Sequence, residues 1–278
     1  MAQVKSRLVH FKGSINYSLF IVAVLIVFIW LIETPTGILG KADAIGYAVC
    51  HRIDARSFHL GIRQFPLCAR CTGQYIGAFI GLIFQGLFTR SRSGFPPKRV
   101  FVILSLLLLA YVVDGLNSYL NLPLFLKVFP EILHLYEPSN VLRLFTGTGM
   151  GLIIALVLYP AFVGSVYIDP DPHPAIVDIK SLAMVLGLGI LVDFLILTGS
   201  KYIFYPAALV SAGVVVLLLT MAYAIVGLRL FHKENQSTKL SQCLLPLTFG
   251  FTVTIAQIAI FDLIRFIITG TWSGLVFG

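Results

Sequence analysis

Seven apolar stretches, at 15–33, 72–89, 99–120, 141–166, 180–199, 203–228 and 244–269, take up most of the chain. Each is about 20 residues long, the length at which an α-helix crosses the hydrocarbon of a bilayer. Hydrocarbon offers the backbone no water, so such segments close their N–H and C=O groups internally, as helices. The 278 residues are 58% hydrophobic and 12% charged, against roughly a quarter charged in soluble domains. A soluble enzyme or free-standing binding module is thereby excluded. The expected fold is all-α: a polytopic transmembrane helix bundle of about seven helices, one domain over 1–278, without an internal repeat. The 24 glycines suit helices that pack closely in lipid.

The first run ends in Leu31-Ile32-Glu33-Thr34-Pro35, which has no small-residue cleavage site, and it reads as a retained helix. The net charge of +8 gathers in short loops beside apolar runs, where basic residues orient helices, so it points to no nucleic acid. With the N-terminus inside, 1–14, 90–98, 167–180 and 229–243 are the cytoplasmic pieces. The arginines of segment 34–73 are set aside as having a task of their own, and the remaining asymmetry favours this orientation. The expectation is an integral protein of the cell membrane with segment 34–73 extracytoplasmic.

Segment 34–73, between the first and second runs, is rich in cysteine, histidine and arginine. It holds Cys50-His51-Arg52 and Cys68-Ala69-Arg70-Cys71, three of the four cysteines. Thiolates are soft ligands and good nucleophiles, and C-x-x-C is a common half of a tetrahedral zinc site. Pro66 reads as a helix start. Cys68 and Cys71 then stand at i and i+3 of a first turn, where the helix dipole and Arg70 favour thiolate. Ile38 to Val49 reads as a short interfacial helix leading to Cys50. Zinc is the expected cofactor, with Cys50, Cys68 and Cys71 as ligands and His51 or His59 as the fourth. His59 is the easier choice, because His51 is adjacent to Cys50. Cys243 precedes the last run on the opposite side and reads as a packing residue.

Arg52, Arg56, Arg63, Arg70 and Arg143 surround this region, and guanidinium forks suit phosphate or carboxylate. They imply an anionic amphiphilic small molecule as ligand, or general attraction to anionic membrane lipid. Ionisable residues also interrupt the apolar runs: Asp114 with Asn117, Asp193, and Asp262 with Arg265. Each costs about 2.5–3.5 kcal/mol on insertion scales unless it faces a bundle interior or a wet cavity. All lie toward the cysteine side of their helices, so one shared polar site is expected, with snorkelling to the interface as the alternative. Asp114 is the candidate base, and Asn117 and Arg143 are candidates to face the ligand. His134, Tyr136 and Glu137 lie in a loop on the same side.

The run Cys50-His51-Arg52-Ile53-Asp54-Ala55-Arg56-Ser57-Phe58, then Gly61, then Pro66-Leu67-Cys68-Ala69-Arg70-Cys71-Thr72-Gly73, resembles the signature of a group of bacterial and archaeal integral membrane proteins that carry a domain of unknown function. Asp114-Gly115, Asn117, Glu137-Pro138-Ser139-Asn140, Arg143 and Thr146-Gly147 are similar to its extended members. The resemblance implies a membrane protein with a site at these residues, and no particular reaction. Quinone-linked thiol oxidoreductases and DHHC-type acyltransferases fit poorly, for want of a second cysteine pair on the same side and of an Asp-His-His-Cys run.

Three functions are therefore expected to compete. The first is a metal-stabilised membrane protein that binds or modifies an anionic amphiphile. The second is a thiol–disulfide protein using the C-x-x-C pair. The third is a transporter in which Asp193 and Asp262 carry protons or ions.

Overall fold

The structure is a computed structural model and describes residues 2–89, 91–128, 135–238 and 240–275. Its helices are α1 (Ala2–Glu33), α2 (Ile38–Val49), α3 (Ala69–Phe88), α4 (Lys98–Leu120), α5 (Pro123–Val128), α6 (Asn140–Val166), α7 (Ile179–Leu197), α8 (Lys201–Leu230) and α9 (Leu244–Thr269). Among the described residues, α3, α4, α6, α7, α8 and α9 are the 6 helices long and apolar enough to cross a membrane. Tyr17–Glu33 and α2 meet at a 105° bend and add a seventh span if taken together, broken or re-entrant in form. The outward faces carry large apolar side chains, such as Phe101, Leu106 and Leu109 of α4 and Leu191 and Phe194 of α7. That pattern fits a hydrocarbon solvent. The expected fold class is the one found. α6 runs unbroken through Pro160.

Segment 34–73 is ordered structure and not an open loop. After α2 the chain makes a short 3-10 turn at Asp54–Arg56 and an antiparallel hairpin of β1 (Ser57–Leu60) and β2 (Arg63–Cys68). Gly61, at φ +60°, supplies the hairpin turn that a side chain would resist. Pro66 lies in β2, so it does not open the next helix; α3 starts at Ala69, with Cys68 as its extended N-cap. A second, parallel ribbon joins β3 (Arg92–Gly94) to β4 (Asp171–Pro174), and His173 in it sits 2.6 Å from Asp171. His134 lies outside the described residues.

α3 and α6 form the centre of the bundle. Small residues let their backbones touch: a Cβ on Gly147 would lie 2.1 Å from the Arg70 carbonyl oxygen, and one on Gly151 would lie 1.9 Å from that of Gln74. Such approaches replace the missing hydrophobic drive between helices in lipid with close van der Waals contact. Buried Gln85 adds a polar tie, its Nε2 donating to the Ala155 carbonyl at 2.9 Å. Ile76 and Ile80 of α3 and Leu144, Leu152 and Leu156 of α6 then pack with Leu182, Val185 and Ile196 of α7 and Phe204 of α8. α9 packs on α8 and α1, and α4 leans on α6 at the edge.

Gly151→Ala should force α3 and α6 apart and lower the thermal midpoint in detergent, at a cost of about 1–3 kcal/mol from overpacking. Gly213→Ala, where nothing lies within 4 Å of the added carbon, should leave it unchanged or raise it. Equal midpoints for the two variants would contradict the close α3–α6 contact.

Candidate metal centre

Cys50 leaves α2 extended, at φ −134° and ψ 143°. Two residues on, Arg52 takes φ +52° and turns the chain back. That conformation costs a residue with a Cβ roughly 1 kcal/mol, and surrounding bonds hold it. The Arg52 carbonyl accepts from Gln64 Nε2 at 2.8 Å, and its guanidinium donates to Asp43 Oδ1 at 3.2 Å and to the Trp272 carbonyl at 3.3 Å. The hairpin then carries the chain back to Cys68, and Cys71 follows in the first turn of α3.

The sulfurs of Cys50, Cys68 and Cys71 all lie within 4.8 Å of one another, a set that can hold a metal ion. Thiolates around a tetrahedral zinc, with bonds near 2.3 Å, stand somewhat under 4 Å apart, so only small rotamer changes separate this arrangement from ligation. Cys50 is buried, and its Sγ accepts the backbone N–H groups of Arg52 and Cys68, each at 3.4 Å. Donors aimed at sulfur stabilise its anionic form, as outer-shell bonds do around metal ligands. Contacts from the Cys50 and Cys71 thiols pull the Cys68 thiol well below the usual cysteine range, and Arg70 adds to this. The Cys50 thiol is pushed up to about 12, chiefly by its bond to Cys68.

The three cysteines line a cavity of about 310 Å³ with His51, Arg56, Arg70, Arg143, Tyr111 and Tyr119. Arg70 forms a buried ion pair with Asp114 of α4 and donates to the Asp114 carbonyl and to Ser118 Oγ, both at 3.0 Å. Arg56 donates to the Ser118 carbonyl and lies over the Tyr119 ring. Arg143, at the start of α6, donates to Asn140 Oδ1 at 2.8 Å.

Several expected site residues have other duties. His59, on the hairpin, stands apart from the sulfur group: its Nε2 sits 2.8 Å from Asp54 of the preceding turn. His51 lines the cavity, yet it is not among the converging ligand atoms. Asp114 does not offer a free base, because Arg70, Tyr136 (3.0 Å) and Thr146 (3.3 Å) occupy its carboxylate; it orients Arg70. Asn117 pins the connection to α6, donating to the Tyr136 carbonyl at 2.9 Å and accepting from the Leu135 N–H at 3.1 Å. Arg52 and Arg63 both turn to Asp43 and away from the cavity.

The intramembrane acids do not form one shared site. Asp193 accepts from Thr148 at 2.8 Å between α6 and α7. Asp262 accepts from Trp30 Nε1 at 2.8 Å between α9 and α1. Arg265 caps the end of α2 instead, donating to the carbonyls of Tyr47 and Cys50 at 2.6 Å and of His51 at 3.0 Å. Cys243 is buried against the α8 cluster and lies outside the sulfur group. Sequence reasoning missed Asp43 and the returning segment at Trp272 and Leu275. The Leu275 N–H donates to the His51 carbonyl at 2.8 Å. Asp43, an acid in an apolar helix, was a usable signal; the tail carried none.

Residues 50–157 match the family described as predicted membrane protein (DUF2085). A protein of Methanothermobacter thermautotrophicus, described only as uncharacterised, is 32% identical over 111 residues, which are 39% of this chain and 83% of that protein. The chain belongs to this family. A second uncharacterised relative, from Methanocaldococcus jannaschii, is 27% identical over 124 residues, 45% of this chain and 70% of the relative. No solved structure matches. The family match starts on Cys50 and takes in Cys68, Arg70, Cys71, Asp114 and Arg143, with all of α3 and α4 and the first two thirds of α6.

Asp114→Ala should leave the Arg70 guanidinium buried without its counter-ion and destabilise the protein by about 3–5 kcal/mol. Thermal unfolding in detergent checks this, and an unchanged midpoint would show that Arg70 finds no essential partner in Asp114.

Proposed function

We propose that this protein holds a zinc ion at Cys50, Cys68 and Cys71 on one face of the membrane, and uses the arginine-lined cavity beside it to bind or modify an anionic amphiphile. The observation that carries this reading is the convergence of three sulfurs, two of them separated by a helix end, a turn and a hairpin, within 4.8 Å. Soft thiolates in a tetrahedral arrangement favour zinc over harder cations. Three protein ligands leave a fourth position, and the cavity side, where His51 and the arginines stand, is the direction from which it would be completed. Bound there, the ion would act as a Lewis acid toward an oxygen of the ligand. In this reading the face is extracytoplasmic, as the charge of the connecting segments favours.

Two features favour a metal over thiol exchange. Three sulfurs meet where a disulfide needs two, and the most buried of them accepts two backbone N–H groups. A proton or ion relay is less well supported, because Asp193 and Asp262 stand in separate helix contacts, each bonded to one neighbour.

Elemental mass spectrometry of detergent-purified protein should find about one zinc per chain, as expected for one three-thiolate site. Cys68→Ser should lose it, while Cys243→Ser should keep it. Metal-free protein with a reversible Cys68–Cys71 disulfide, detected by thiol labelling, would overturn the reading in favour of redox chemistry.

A further inference from the structure

Among the described residues, the negative charge around the cavity falls short of that of its arginines. Arg143 is only 6% exposed, lines the cavity, and has no carboxylate within ion-pair distance among the described residues. Its Nε has no hydrogen-bond partner there, and neither has that of Arg70. Arg56 and Arg70 act on Arg143 as neighbouring like charges. Asp114 supplies one negative charge, paired directly with Arg70, and three thiolates on a dication would contribute one further negative charge. Among the described residues one guanidinium thus remains unmatched in a partly buried site, where an uncompensated charge is expensive. An anion that presents two oxygens side by side, as a phosphate does, is the natural complement of such forks.

The cavity is also open sideways. Val112, Leu116 and Tyr119 of α4 line it, and yet they are 43%, 61% and 43% exposed. α4 stands at the edge of the bundle, so these side chains face the site on one flank and hydrocarbon on the other. The cavity of about 310 Å³ is at the small end for ligand pockets, with room for a headgroup while acyl chains stay in the bilayer.

We infer that the cavity binds the phosphate headgroup of an anionic membrane lipid, which enters sideways past Val112, Leu116 and Tyr119 and lays its phosphate oxygens on Arg143 and Arg56. This deepens the zinc-centre reading and rests on it for the balance of charge. A free phosphate shares the same recognition chemistry, and the apolar flank is what favours the lipid.

The test measures phosphatidylglycerol binding to the full-length protein in detergent by native mass spectrometry, with zinc content determined on the same samples. The wild-type protein should bind phosphatidylglycerol more tightly than phosphatidylcholine. Arg143→Gln and Leu116→Trp, the latter filling the side opening without touching a charge, should each weaken that binding at least about tenfold, or about 1.4 kcal/mol. Zinc content should be unchanged in both. Inorganic phosphate or glycerol phosphate binding as tightly as the lipid overturns the lipid assignment. Undiminished phosphatidylglycerol binding by both variants, with zinc retained, overturns the headgroup site alone. Wild-type protein without zinc overturns the metal centre, and with it the charge argument made here.

Discussion

Everything at the cysteine face depends on how closely α3 approaches α6. With hydrogen in place of Cβ at Gly147 and Gly151, the α6 backbone sits directly on the carbonyls of Arg70 and Gln74. The two helices therefore begin at nearly the same level. Cys71 and Arg70, in the first turn of α3, come beside Arg143, in the first turn of α6, on the wall of one cavity. A larger residue at the contact would move the two turns apart and separate the guanidiniums from the sulfurs. In lipid, where apolar burial gives helices little reason to associate, this backbone contact is the adhesive.

Around that axis the molecule disposes of its charges in two ways. Some serve as struts: Arg70 with Asp114, Arg52 and Arg63 with Asp43, and Arg265 on the last carbonyls of α2. These bonds tie α4, α2 and α9 to the segment around Cys50 and Cys68 and hold Arg52 in its left-handed turn. Others are left incompletely matched, and they are the ones that line the cavity. Among the described residues, Arg143 lacks a carboxylate partner and Arg56 has a carbonyl and a tyrosine ring. Such a division is what distinguishes a supporting arginine from one available to a ligand.

The zinc and the lipid headgroup, as proposed, would meet in this cavity from opposite directions. The sulfurs stand on its protein side and the flank of α4 opens it to hydrocarbon. A site so arranged would suit a substrate that stays in the bilayer, and among the described residues the outward helix faces carry many large apolar side chains.

Much of this was legible along the chain, because hydropathy and helical period are local properties. The six spanning helices fall within a few residues of their apolar runs, α1 starts well before its own run, and Ile38–Val49 is the short helix expected before Cys50. The C-x-x-C spacing with a third upstream cysteine was enough to nominate the sulfur cluster. Partnerships between charges were not legible. Arg70 and Asp114 are 44 positions apart, and Arg265 and Cys50 are 215 apart. Nothing in either neighbourhood says which will meet, since that depends on the rotation and depth of each helix against the others. The same ignorance made His59 a plausible ligand, until the hairpin turned it toward Asp54. Residue types and their spacing announce a metal-competent, basic membrane face. Which arginines brace it and which remain for a ligand is settled by helix packing, because an ion pair forms only where two backbones bring opposite charges within a few ångströms.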